Sequence, residues 1–221
     1  MDMKAGYKII SIILAILMLP VCASANTYAD KLYELGLFKG TENGYELESP
    51  LTREQSAVML VRLNGAEENV LKEKFEETFT DVKSSRWSFP YVMYCYEKEI
   101  TKGTGNNTFT PESDVTAEEY ITLVLRMLGY TESAPETAFD DAIENMLISS
   151  DDVKNIKKSD KFTREQMVYI TYRSLQTKTV KGELFANVLA DKGAITKKEA
   201  KEFDIFNSTN DIDTLIDKIL K

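Results

Sequence analysis

The sequence predicts a mainly α protein built from three helix-turn-helix repeats with short extended segments between helices and further helices at the C-terminal end. Two observations carry this. A Thr, two residues and then Glu or Gln precede an apolar run three times, as Thr52-Arg53-Glu54-Gln55, Thr116-Ala117-Glu118-Glu119 and Thr163-Arg164-Glu165-Gln166. The runs that follow also keep one register, with Arg62, Arg126 and Arg173 each ten residues after the Thr and Gly65 and Gly129 each thirteen after it.

Each tetrad has the S/T-x-x-E/Q form of a capping box, in which the Thr hydroxyl accepts from the amide three residues on and the Glu or Gln side chain accepts from the Thr amide. Each therefore starts a helix. The residue before the Thr is apolar every time (Leu51, Val115, Phe162) and in the second and third copies has Tyr120 or Met167 one turn in as a staple partner, a position held by Ser56 in the first.

Arg53 and Arg164 occupy the first helical position, where the partial positive charge of the helix end disfavours a cation by a few tenths to ~1 kcal/mol. Two readings are open. An external carboxylate or phosphate offsets the charge, since free amides and a guanidinium fork both suit such a group. Alternatively, Glu54 and Glu165 neutralise the Arg next door.

Composition narrows the chemistry. The chain has 221 residues, 43% hydrophobic and 29% charged, enough to bury a core as one repeat domain or two small ones. A formal charge of −9 argues against a nucleic-acid partner, which needs a basic face. The chain has no His, which removes Ser-His-Asp and Cys-His catalysis and every His-ligated metal site. No metal or other cofactor is expected. The repeats and the tail use up the chain and leave no catalytic domain, so an envelope hydrolase working with paired carboxylates is disfavoured and the protein is expected not to be an enzyme.

Along the chain, residues 1–25 read as a secretory signal, with Lys4 and Lys8 ahead of an apolar run from Ile9 to Leu19 and Ala23-Ser24-Ala25 as the cleavage site. The run is shorter than the ~20 residues of a membrane span, so no membrane association is expected after cleavage. The first repeat occupies 26–66: a helix from Tyr28, a left-handed cap at Gly36, Lys39-Gly40, a turn at Asn43-Gly44 and the first box. Residues 64–77 read as a solvated helix or linker. The second repeat, 78–130, opens with Phe79-Thr80-Asp81-Val82 and Trp87, then runs through a helix, Lys102-Gly103 and Phe109-Thr110-Pro111 to its box. Placing Gly103 on Gly40 puts Cys95 in the column of Leu32, as a small buried hydrophobe. The third repeat, 138–176, has Ser149-Ser150 in place of Lys-Gly, and 151–160 is expected as a loop in which Asp151 and Asp152 cap or solvate a helix end. A C-terminal extension, 177–221, contains a helix over 184–189, a stop at Gly193, a helix opened by Thr196, and an apolar stripe over 211–221 expected to dock on the repeats.

The order Phe-x-Asp-Val, Trp, helix, Ile-x-x-Gly, Phe-x-Pro, Thr-Arg-Glu and apolar helix resembles the S-layer homology domain, in three tandem copies over most of residues 28–175. That resemblance implies a pseudo-trimeric, mainly helical, monomeric module of a secreted protein, anchoring it non-covalently to the bacterial cell wall or S-layer. The implied partner is an anionic secondary cell-wall polysaccharide, commonly pyruvylated, bound in grooves between adjacent repeats. The implied glycan-binding residues are Arg53, Glu54, Arg164 and Glu165 of the Thr-Arg-Glu motifs, the loops Lys39-Gly40 and Lys102-Gly103, and Trp87 against a sugar ring.

Several positions depart from the pattern. Ala117 replaces the Arg of the second box, Ser149-Ser150 replace the third glycine loop, and the first copy has no upstream Trp segment. Glu99 and Met146 stand where Gly36 stands, at a strain cost of roughly 1 kcal/mol each if they adopt its left-handed cap. Trp87 has a second reading as a structural plug. The alternative function is an envelope scaffold that binds no glycan and works through contacts with other envelope proteins.

Overall fold

The computed structural model describes residues 25–209, with side chains from 27 to 203. Residues 1–24, with Cys22, which hold all but the last residue of the expected signal 1–25, and the expected apolar stripe 211–221 lie outside the described residues. The fold is mainly α: α1 (Ala25–Glu34), α2 (Arg53–Leu63), α3 (Glu67–Val70), α4 (Phe89–Glu97), α5 (Ala117–Met127), α6 (Ala138–Glu144), α7 (Ser150–Ile156), α8 (Arg164–Leu175), α9 (Phe185–Asp191) and α10 (Lys197–Thr209). Among the described residues no helix is long and apolar enough to cross a membrane.

All three expected capping boxes form, at the N-termini of α2, α5 and α8. In each, the helix start is fixed by two reciprocal hydrogen bonds, so the chain enters from an extended Thr and commits the apolar run to helix. The helices that precede the boxes end alike. Gly36, Glu99 and Met146 all have positive φ, at 72°, 58° and 56°. Behind them Leu37, Ile100 and Leu147 donate their amides to the carbonyls of Leu32, Cys95 and Ala142 at 2.9, 2.9 and 2.8 Å. Two non-glycine residues thus bear left-handed strain because the cap geometry is the same in all three copies. The same bonds put Leu32, Cys95 and Ala142 in one column, and all three are buried.

The three boxes meet around a common centre. Leu51 donates to Phe162 O and Val115 donates to Leu51 O, at 3.4 and 2.8 Å, so the three apolar residues that precede the box threonines lie together and buried. From this centre the first and third boxes each lean on the loop of a neighbouring copy. Arg53 and Glu54 amides donate to Ser113 O and Pro111 O, while Arg164 and Glu165 amides donate to Ser49 O and Leu47 O. Short antiparallel bridges, Thr52↔Asp114 and Pro50↔Thr163, mark the same two junctions. At these two junctions orphan helix-end amides are satisfied by the carbonyls of a neighbouring loop.

Two segments differ from their sequence readings. Residues 151–160 are not an open loop: Ser149 and Asp152 form a fourth capping box and residues 150–156 are the helix α7, with Asp151 paired to Lys154 at 2.8 Å. Asp serves where Glu was sought, because its shorter side chain still reaches the Ser amide, at 2.8 Å. The 64–77 segment is more than a solvated linker, since Val70 is buried and Glu67 ties three side chains together.

The extension closes the module. α9 follows a Lys178↔Leu184 bridge, and Thr196 with Glu199 forms a further capping box for α10. Val180 donates to Leu128 O, Gly65 packs against Ala194, Phe203 lies 5.5 Å from the Tyr172 ring, and Glu202 pairs with Lys31 at 2.6 Å.

Candidate functional site

The two box arginines share one backbone geometry and differ in what satisfies them. Arg53 and Arg164 are both buried, at 6% and 8% exposure. Each inserts its guanidinium into the loop of the neighbouring repeat: Arg53 Nε donates to Phe109 O at 2.8 Å, and Arg164 Nε donates to Tyr45 O at 2.9 Å. Each also lies over a ring, Arg53 at 5.0 Å from Phe109 and Arg164 at 5.5 Å from Phe38. Arg53 then completes its set with an ion pair, donating Nη1 to Glu119 Oε1 at 2.6 Å. Among the described residues Arg164 forms no ion pair. Burial holds its guanidinium below its ordinary pKa, with Glu46 acting from a distance to raise it and Arg62 to lower it.

Neither Glu54 nor Glu165 neutralises the Arg beside it. Glu54 is buried and faces the second repeat, accepting Arg86 Nε and Nη2 at 2.8 and 2.9 Å and Ser88 Oγ at 2.6 Å. Glu165 donates its amide to Leu47 O, at the rim of the same junction.

Arg164 opens onto a groove of about 170 Å³ in which Lys39, Gly40 and Trp87 also take part, together with Gln55 and Arg62. Four residues singled out from the sequence therefore meet here, drawn from all three repeats. Trp87 is 57% exposed, so it is a free ring face at the groove and not a plug. The rim cations are positioned by Glu67, which accepts Lys39 Nζ at 2.6 Å, Arg62 Nε at 2.8 Å and Tyr91 Oη at 3.2 Å. Burial pushes the Glu67 carboxyl up, but the hydrogen bonds and charges of Lys39 and Arg62 outweigh it and hold the group below its ordinary value. With Arg164, Lys39 and Arg62 against Glu67, the groove is locally cationic on an acidic chain. Its volume is below the ~300–1,000 Å³ of enclosing ligand pockets, which suits a single charged group of a longer molecule lying across the surface.

The other candidates fall elsewhere. Lys102 borders a different depression with Glu97, Glu99 and Glu132. Gly103 is required by the backbone, because at φ +76° a Cβ would lie 2.5 Å from both Phe79 Cε1 and Thr108 O. At the third junction, where Ala117 brings no guanidinium, a cleft of about 520 Å³ separates the second box from residues 156–162. Lys157 there sits over the Phe139 ring at 4.6 Å. Cys95 is buried and its thiol is pushed far up by burial, as a core residue should be.

Sequence reasoning missed Gln55 and Arg62 in the groove lining, and Glu67 and Tyr45, which hold its cations. Arg62 was visible as a repeated register position, but its link to Glu67 depends on a short helix that polar composition concealed.

Fold and groove together define a class: a helical repeat module whose inter-repeat surface presents a cationic cleft beside an exposed indole. Residues 78–121, within the most complete copy, match the S-layer homology domain. A middle cell wall protein of Brevibacillus brevis is 35% identical over 130 residues, covering 58% of this chain and 12% of that protein. A surface layer protein of Brevibacillus choshinensis is 33% identical over 129 residues, covering 58% of this chain and 11% of the relative. A cellulosome-anchoring protein of Acetivibrio thermocellus is 33% identical over 98 residues, covering 44% of this chain and 20% of the relative. The chain thus matches only a minor part of each of these longer proteins.

Proposed function

We propose that this protein anchors non-covalently to the bacterial cell wall by binding an anionic secondary cell-wall polysaccharide, and that it does so as a secreted, non-enzymatic monomer. In this reading residues 26–66 and 138–176 are S-layer homology repeats like 78–130, and the working site is the Arg164 groove. One observation carries it: a buried guanidinium with no carboxylate partner among the described residues opens onto a groove with a free Trp face. A buried cation is costly unless paired, and a carboxylate on the polymer, such as a pyruvate ketal, supplies the pair while the sugar ring lies on Trp87. Lys39 and Arg62, held out by Glu67, add long-range attraction. The relatives named for cell wall, surface layer and anchoring roles support this placement.

The test is co-sedimentation with purified walls. The protein should pellet with intact walls and stay soluble once the secondary polymer is stripped, and Arg164→Ala should behave like the stripped control. Equal pelleting of Arg164→Ala and the parent would discard the groove. The scaffold alternative draws support from the first box, where Arg53 and Glu54 are fully engaged inside the protein.

A further inference from the structure

The last residue of the first and second capping boxes has one side-chain atom committed to the box and one left over. Gln55 Oε1 accepts from the Thr52 amide at 3.1 Å, and Glu119 Oε2 accepts from the Thr116 amide at 2.9 Å. The spare atom of Glu119 is a carboxylate oxygen, and it accepts Arg53 Nη1 at 2.6 Å. The spare group of Gln55 is an amide NH2, which donates and cannot accept from a guanidinium.

The two residues hold equivalent places at their junctions. Arg53 enters the junction next to the second box, through Arg53 N to Ser113 O and the Thr52↔Asp114 bridge. Arg164 enters the junction next to the first box, through Arg164 N to Ser49 O and the Pro50↔Thr163 bridge. Gln55 is therefore to Arg164 what Glu119 is to Arg53, and Gln55 lines the groove with it. A Glu at this position closes a junction by internal neutralisation. A Gln keeps the same helix cap and leaves the guanidinium open.

We propose that Gln55 is the specificity-determining residue that reserves the Arg164 groove for an external oxyanion carried on a glycan, while Glu119 switches off the equivalent Arg53 junction. This rests on the groove being the binding site. The Gln55 amide adds a donor beside Arg164, so the favoured ligand is a monoanionic or dianionic group with several acceptor oxygens, either a carboxylate or a phosphate.

The experiment measures binding by calorimetry to two probes, a methyl hexoside bearing a 4,6-linked pyruvate ketal and the same hexoside as its 6-phosphate. It uses the parent protein, Arg164→Ala, Gln55→Glu and Glu119→Gln. Tighter binding of one probe by the parent identifies the anion. Gln55→Glu should weaken that binding at least tenfold and at the same time raise Tm, because the new carboxylate pairs with Arg164 while keeping the cap. Glu119→Gln should lower Tm and open a second, weaker site at the freed Arg53 junction, raising the stoichiometry above one while the affinity of the Arg164 groove stays at the parent value. Opposite movement of affinity and stability is not expected of a merely structural residue. Parent-like binding by Gln55→Glu, with Arg164→Ala still inactive, would overturn the selector and keep the groove. Parent-like binding by Arg164→Ala, or no binding of either probe by the parent, would overturn the groove itself.

Discussion

Glu54 of the first box receives Arg86 Nε and Nη2 as a two-point clasp, at 2.8 and 2.9 Å, and so fastens α2 to the segment that carries Trp87. The bond also places the indole at the groove rim. Arg86→Ala leaves the buried Glu54 with Ser88 as its side-chain donor, and loss of one partner of such a pair costs roughly 3 kcal/mol. Urea unfolding should show the drop, and wall binding should weaken through displacement of Trp87.

Trp87→Ala separates binding from folding. The ring is mostly exposed, so its removal should leave Tm within a degree or two of the parent, while affinity for the wall polymer falls about tenfold, or ~1.4 kcal/mol. A fall in Tm comparable to that of Arg86→Ala would return the indole to a structural role.

Acid should loosen the rim. The folded pKa of Glu67 is depressed, so its ion pairs contribute stability above the unfolded value near 4.5, and that contribution is lost as pH falls through the folded value. The Tm difference between the parent and Glu67→Gln should therefore be fully present at neutral pH and narrow below pH about 4.5. Parallel Tm curves down to pH 3 would remove Glu67 as the organiser of Lys39 and Arg62.

Gly65→Ala tests how firmly the extension is seated. The added Cβ would fall 2.2 Å from Ala194 Cβ at a residue with φ +65°. Left-handed strain plus overpacking predicts a loss of ~2–4 kcal/mol, detectable by thermal melting. Protease nicking within 177–203 should rise in parallel.

Cys95 provides an internal clock for opening of the second repeat. Its thiol is enclosed and pushed far up in pKa, so a thiol reagent at neutral pH should leave Cys95 unlabelled in the native protein and reach it only in denaturant, as peptide mapping would show. Rapid labelling without denaturant would contradict the packing of α4 on α2.

Much of this architecture was readable from spacing. The three boxes and the Leu32–Cys95 column follow from local chemistry and register, which a sequence states directly. Alignment with Gly36 marked Glu99 and Met146 as departures at which a left-handed cap would be strained, and the caps form there nonetheless. The groove was readable only in part. Arg164, Lys39, Gly40 and Trp87 were named, but equally with Arg53, Lys102 and Gly103, because the discriminating contacts span repeats. Whether Arg53 meets a carboxylate depends on Glu119, sixty-six residues away, and no local pattern encodes that distance. The helix α7 escaped because Ser-x-x-Asp is a weaker box than Thr-x-x-Glu and the expected loop motif was missing.

The Ala117 junction gives the module unequal seams. Two joints are latched by arginine side chains threaded into a neighbour's carbonyls, and the third relies on surface cations around an open cleft. Under load or mild denaturant the molecule should part there first, as a clasp with one loose link, and amides across 157–161 should exchange with solvent well before those of 109–113 or 45–49.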